Sequence, residues 1–166
     1  ASNQYIPLDI NYTVNSIPTS ITDSISTALF AYNDNYDRIS ERISQGGADL
    51  IYKNYFAGGK YEVETVRNVE KKRLYLDGSP YTASVVLEQT GSNTPQLYYL
   101  HRDYLGSITQ ISNNSGNLAA EYSYDAWGRL RNPANSQTYS SDAQPALLFG
   151  RGYTGHSLSR FLSGNT

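Results

Sequence analysis

The sequence contains no cysteine and no methionine among its 166 residues. The absence of cysteine excludes disulfides and thiolate metal sites, although it does not identify a cellular compartment. No run of 18 apolar residues is present, so the sequence predicts no membrane-spanning helix. Only 17% of the residues are charged and the net charge is −2. Because no basic stripe accompanies that charge, a nucleic-acid partner is not expected.

Tyrosine is the residue that the chain has in excess. The sequence holds 16 tyrosines against 4 phenylalanines, within a hydrophobic fraction of 39%. Each tyrosine combines a large apolar ring with a hydroxyl group that requires a partner or water. Such side chains suit the half-buried faces of a sheet better than a deep apolar core. The length favours one domain.

Short alternating segments separated by turn residues predict a mainly β fold, an antiparallel meander of hairpins that forms a curved, twisted sheet. Polar turns are expected at 33–35, 45–47, 57–60, 77–80 and 113–116. A hairpin is predicted at 27–43, and strands are predicted at 50–56, 61–65, 73–76, 81–88, 97–102, 108–112 and 117–125. This spacing corresponds to roughly 10–12 strands.

The segment 20–28 is ambiguous by pattern. Ile21, Ile25 and Ala28 have helical spacing, but the β-branched residues in the segment favour a strand. We interpret it as strand or extended structure. The segment 132–144 loses periodicity and predicts a loop.

Candidate catalytic groups are few. The sequence His101-Arg102-Asp103 resembles a kinase catalytic loop, but neither a phosphate-binding glycine loop nor an Asp-Phe-Gly motif accompanies it. A serine hydrolase would need a Gly-x-Ser-x-Gly elbow, which is absent. A metal site would need clustered ligands, whereas His101 and His156 are far apart in the sequence. We therefore expect no enzyme activity, no metal and no cofactor.

The segment Tyr124-Asp125-Ala126-Trp127-Gly128-Arg129 favours a structural interpretation. Asp125 can bond a turn backbone, Gly128 supplies a positive φ, and Arg129 can pair with Asp125 or stack on an aromatic ring. Trp127 is expected to pack on a neighbouring strand. As an alternative, an aromatic sheet face could bind a glycan by stacking, which would make the chain a surface glycan- or protein-binding module.

Three sequence motifs, called signature words below, resemble those of the Rhs, or YD-repeat, proteins. They are His-Arg-Asp-Tyr-Leu-Gly-Ser at 101–107, Tyr-Asp-Ala-Trp-Gly-Arg at 124–129 and Tyr-Thr-Gly-His at 153–156. The residues of these motifs are similar to those in Rhs proteins from Bacteroidetes-type bacteria. The signature residues are His101, Arg102, Asp103, Tyr104, Leu105, Gly106, Ser107, Tyr124, Asp125, Trp127, Gly128, Arg129, Tyr153, Thr154, Gly155 and His156.

The resemblance implies a fold and a function. In this family, many repeats form a hollow β-shell that encloses a toxin domain, and the proteins are secreted or displayed at the bacterial cell surface. It implies an N-terminal extended segment at 1–26, a YD-repeat hairpin region at 27–131, and a loop with a core-like C-terminal segment at 132–166. The implied partners are other YD repeats or a toxin cargo. Unpaired edge strands would also allow self-association.

The C-terminal segment departs from the family pattern. Family members continue after Tyr-Thr-Gly-His with a block that contains Asp-Pro, and several use aspartates there for self-cleavage. Here Arg160-Phe161-Leu162-Ser163 matches the tail of that block, but Gly164-Asn165 stands where Pro-Asp is expected. The resemblance therefore predicts a truncated, non-catalytic scaffold that does not cut itself.

Overall fold

The computed structural model describes residues 7–140 and 143–157, so the predicted match at 160–163 lies outside the described residues. The strands in chain order are β1 (Asp9–Tyr12), β2 (Pro18–Thr22), β3 (Ser26–Tyr32), β4 (Arg38–Gln45), β5 (Ala48–Phe56), β6 (Tyr61–Val66), β7 (Val69–Leu76), β8 (Val85–Thr90), β9 (Gln96–Arg102), β10 (Ile108–Asn113), β11 (Leu118–Glu121), β12 (Ser123–Tyr124) and β13 (Leu130–Arg131). A short 3-10 turn spans Tyr153–Gly155. The described part of the chain has no helix long and apolar enough to cross a membrane.

The strands pair in sequence order. β1 to β11 form one 11-stranded sheet in which each strand lies beside the next, and β12 pairs with β13 in a second sheet of 2 strands. The described strand pairs are antiparallel, for example β3 and β4, in which Ala28 lies opposite Ile43. Short turns permit this order because an antiparallel pair can be joined by a hairpin. The predicted mainly β antiparallel meander is confirmed.

The chain divides into two compact units, 1–72 and 73–166. In the first unit the buried side chains include Ala28 and Ile43 but also Glu41, Lys53 and Glu62. The Lys53 Nζ atom lies 3.2 Å from Glu64 Oε1. A buried charge is tolerated when it is paired in this way. The three-part division expected from the sequence, with boundaries at 26/27 and 131/132, stays a prediction.

A half-buried tyrosine contacts the polar interior of the first unit. The Tyr55 hydroxyl donates a hydrogen bond of 2.9 Å to Glu41 Oε2. Burial, followed by the charge of Glu41, raises the pKa of Tyr55 well above its usual range. The hydroxyl therefore remains protonated and acts as a donor at all ordinary pH values.

The second unit has a conventional apolar core. Its buried members come from five strands and from the segments between them: Tyr75, Ala83, Val86, Leu100, Ile108, Ile111, Tyr122, Leu130 and Phe149. The Phe149 ring meets the Tyr98 ring edge-on, with 5.4 Å between centroids. Phe149 belongs to a short apolar run outside the sheet, and it closes the core over the strands.

Two strand predictions have wrong boundaries. The segment 81–88 was expected to be a strand, but β8 begins only at Val85. The N–H groups of Thr82 and Ala83 both donate to the Ser79 carbonyl, so the preceding turn extends through Ala83. β7 begins at Val69 rather than at Arg73, because Arg67 and Asn68 adopt φ values of 47° and 66° and form a hairpin turn that the sequence did not reveal.

A third prediction is wrong in continuity. The segment 117–125 was expected to be one strand, but β11 ends at Glu121 and β12 joins the second sheet. Tyr122 lies at the break, where its N–H donates to the Thr109 carbonyl. Its buried hydroxyl accepts a hydrogen bond of 2.7 Å from the Leu148 N–H. The strand interpretation of 20–28 is confirmed, although a turn at 23–25 divides it into β2 and β3.

Candidate functional site

One five-residue turn that begins with Asp, Asn or Thr recurs five times in the described residues, and the segment 152–156 repeats its backbone hydrogen bonds with Gly152 in the first position. Its copies span 13–17, 33–37, 103–107, 113–117 and 125–129. In each of these five copies the N–H of the first residue donates to the carbonyl of the fifth residue at 2.8–3.0 Å. The N–H of the fourth residue donates to the carbonyl of the first residue at 3.0–3.1 Å. The copies at 103–107 and 125–129 contain two of the three signature words.

The side chain of the first residue explains the recurring Asp, Asn or Thr. Its oxygen accepts hydrogen bonds from the N–H groups of the third and fifth residues, at 2.8–3.3 Å across the five copies. The fourth residue adopts a φ of 60–86°, which favours glycine. The sequence pattern Asp-x-x-Gly therefore specifies this turn.

Arg102 anchors the first signature word. Its guanidinium donates to the carbonyl oxygens of Gly106 at 2.8 Å, Pro80 at 3.3 Å and Ala83 at 3.3–3.4 Å. Burial, followed by the nearby charge of Arg151, lowers the pKa of Arg102. The Asp103 carboxylate accepts backbone hydrogen bonds from Leu105 and Ser107.

The remaining residues of the first word differ in exposure. His101 is exposed and its Nε2 atom lies 2.9 Å from Ser112 Oγ. Tyr104 and Leu105 project from the turn into solvent, with Tyr104 94% exposed. Ser107 is fully buried, and its Oγ accepts a hydrogen bond of 3.1 Å from the Thr154 N–H. That bond joins the first word to the third.

Asp125 holds the second word in place. Its buried Oδ1 accepts the N–H groups of Trp127 and Arg129, and its Oδ2 lies 2.7 Å from Arg129 Nε. Burial alone would raise the pKa of the Asp125 carboxyl, but the hydrogen bonds from Arg129 and Trp127 outweigh it and hold the pKa below its usual value. A carboxylate bound in this way is a poor general base. The predicted Arg129–Asp125 pair is formed.

The third word packs against the second. The Tyr153 hydroxyl donates to the Ala126 carbonyl at 3.1 Å, and the Tyr153 ring lies directly beside Gly128. Thr154 has an unusual φ of 50°, with its Oγ1 2.6 Å from His156 Nδ1 and 2.8 Å from the Tyr153 carbonyl. Gly155 is buried near Arg102. All three words thus meet in the second unit.

A cavity of about 400 Å³ lies where the second and third words meet. Its walls include Tyr124, Trp127, Arg129, Gln144, Tyr153 and His156. The prediction that Trp127 packs on a neighbouring strand is wrong, because the side chain is 79% exposed at the rim. The sequence did not identify Gln144 as a cavity residue, because the pattern of a polar loop does not indicate which side chain lines a cavity.

The arrangement offers binding groups rather than a catalytic constellation. No cluster of three metal-ligating side chains occurs in the residues that the structure describes. The carboxylates of Asp103 and Asp125 are both committed to their turns. The roles of the signature residues as a set stay a prediction, but Asp103, Ser107 and Asp125 make the contacts of structural residues.

Comparison with known proteins finds relatives by sequence and, separately, by structure. No family model matches the chain. The tRNA3(Ser)-specific nuclease WapA of Bacillus spizizenii is 26% identical over 110 residues, and the tRNA nuclease WapA of Bacillus subtilis is 27% identical over 110 residues. Each match covers 66% of this chain and 4% of the relative.

Solved structures share the fold. The Photorhabdus luminescens Tc holotoxin pore matches with a TM-score of 0.61 at 13% identity, over 74% of this chain and 6% of that chain. The TcdB2–TccC3 crystal structure matches with a TM-score of 0.60 at 14% identity, over 74% of this chain and 7% of that chain. The chain therefore corresponds to a small part of much longer proteins, and its likeness to the solved structures concerns the fold.

Proposed function

We propose that the chain is a non-catalytic YD-repeat scaffold segment of an Rhs-type bacterial protein, secreted or displayed at the surface, that helps to enclose or deliver a toxin cargo. The observation that carries this proposal is the recurring turn. Two signature words coincide with copies of that turn, and their aspartates and glycines are used by its hydrogen bonds and its positive φ. Residues used in this way serve the sheet rather than a reaction.

The comparisons support the proposal at the level of fold. The structural likeness is to a Tc holotoxin and to a TcdB2–TccC3 complex, and the sequence likeness is to WapA nucleases. All of these are far longer than this chain. We infer that the sheet continues into neighbouring repeats of a parent protein, and that any activity belongs to another part of it.

Enclosure can be tested by protease protection. The chain is expressed with its neighbouring coding sequence, and the downstream region is followed during limited proteolysis. We expect that region to resist cleavage in the parent protein and to be cut rapidly when it is expressed alone. A matched parent carrying Gly128→Val, in which the sheet is destabilised, should lose the protection. Equal cleavage rates in the parent and in the isolated region would contradict the proposal.

A further inference from the structure

Trp127 is not required by the turn that presents it. The same third position of the turn is filled by Asn15, Asn35, Leu105 and Ser115 in the other copies. Trp127 is the only tryptophan in the chain, and it remains 79% exposed. An exposed tryptophan contributes little to folding, whereas it is a strong contact residue for a ligand or a partner. Its placement therefore requires a different explanation.

The turn below Trp127 is unusually well fixed. Its backbone N–H donates to the buried Asp125 carboxylate at 2.9 Å, and the adjacent Ala126 carbonyl accepts the Tyr153 hydroxyl. Gly128 leaves no space for a side chain, because a Cβ there would lie 2.6 Å from the Tyr153 ring. An aromatic side chain on such a support loses little backbone freedom when it binds a ligand.

Polar groups suited to a hydroxylated, acidic ligand surround the same cavity. Arg129 bonds Asp125 through Nε, and its side chain is 64% exposed. Among the described residues its terminal Nη atoms have no hydrogen-bond partner. Thr154, His156 and Ser157 line the cavity with groups that donate or accept hydrogen bonds. The Arg129 guanidinium also lies 5.8 Å from the Trp127 ring centroid, so both groups can contact one ligand.

We propose that Trp127 and Arg129 form a binding site for a carboxylated saccharide. A β-linked pyranose has a flat apolar face that can stack on the exposed indole, and its hydroxyl groups suit the polar cavity wall. A sugar carboxylate can accept two parallel hydrogen bonds from the guanidinium, as phosphates and carboxylates do in general. A nucleic acid fits less well, because it needs several cations for its phosphates and the chain has a net charge of −2.

Cellobiouronic acid and cellobiose provide a matched pair of probes, since they differ in one carboxylate group. Because Trp127 is the only tryptophan, its fluorescence reports directly on the site. We expect cellobiouronic acid to change the emission with saturation, and cellobiose to bind about tenfold more weakly. Calorimetry on variants then separates the two groups. Trp127→Ala should weaken the binding of both sugars by about tenfold or more.

Arg129→Gln should remove the preference for the acid while cellobiose binding persists. Tyr104→Ala is the matched control, since Tyr104 is 94% exposed on a sister turn and should leave both affinities unchanged. Melting curves confirm that each variant is folded. The proposal is overturned if neither sugar binds, if the two sugars bind equally, or if Tyr104→Ala weakens binding as much as Trp127→Ala. Tighter binding of a mononucleotide would also overturn it and assign the site to nucleic acid.

Discussion

Replacing Gly128 with alanine is expected to destabilise the protein much more than the same replacement at Gly106. Both glycines occupy the fourth position of the recurring turn, with φ values of 84° and 86°. Left-handed backbone costs a residue with a side chain about 1–2 kcal/mol. At Gly106 an added Cβ would meet nothing within 4 Å, so that strain is the whole cost.

At Gly128 the same Cβ would lie 2.6 Å from Tyr153 Cδ1 and 2.9 Å from Cγ. The ring is held by its hydroxyl contact with Ala126, so it cannot move away freely. Overpacking adds about 1–3 kcal/mol, which gives an expected loss of about 2–5 kcal/mol in the free energy of unfolding. Valine should cost more than alanine at either site.

Urea titration of five proteins measures the difference: wild type, Gly106→Ala, Gly128→Ala, Tyr153→Ala and the double variant Gly128→Ala with Tyr153→Ala. Removing the ring should reduce the cost of Gly128→Ala to about that of Gly106→Ala, which is a coupling of about 1–3 kcal/mol. Equal losses at the two glycines, with no coupling to Tyr153, would show that the second and third words do not meet as described.

Glu88→Gln is the second substitution with a large expected effect. Glu88 Oε2 lies 2.6 Å from Arg73 Nε, and the two side chains are 9% and 2% exposed. The Arg73 guanidinium also faces Phe149, with its Cζ atom 5.8 Å from the ring centroid. Glutamine has nearly the same shape but no charge, so the buried guanidinium loses the charge of Glu88 at 2.6 Å. Breaking a buried pair in this way costs about 3–5 kcal/mol.

The control for Glu88→Gln is an exposed pair in the first unit. Arg42 and Asp49 form a bidentate contact at 2.6–2.7 Å, with side chains 53% and 48% exposed. Solvent screens that pair, so Asp49→Asn should change the urea midpoint little. The double variant Arg73→Met with Glu88→Leu should recover much of the lost stability. A small effect of Glu88→Gln, similar to that of Asp49→Asn, would contradict a stabilising role for the buried Arg73–Glu88 pair.

Local turn chemistry made most of the fold predictable. The turns at 33–35, 45–47 and 57–60 were identified from glycine, asparagine and aspartate, and the flanking strands followed from alternation. The hairpin turn at Arg67 and Asn68 was missed because neither residue is a glycine. The early end of β11 was missed because the burial of Tyr122 depends on Leu148, which is distant in sequence.

The site was predictable in its parts but not in its assembly. The words at 101–107, 124–129 and 153–156 were all recognised. The bond from Thr154 to Ser107, and the fit of Tyr153 against Gly128, join residues far apart in the chain and cannot be read from local patterns. The exposure of Trp127 was also unexpected, because a tryptophan near a strand usually packs against the neighbouring strands.

Hydrogen exchange at the two edge strands tests the scaffold account most directly. β1 pairs with β2 and β11 with β10, and no other described strand covers their outer edges. If the chain is one segment of a longer sheet, amides in Asp9–Tyr12 and Leu118–Glu121 should exchange quickly in the isolated chain and be protected in the parent protein. Unchanged exchange in both strands, in a folded parent, would contradict the account.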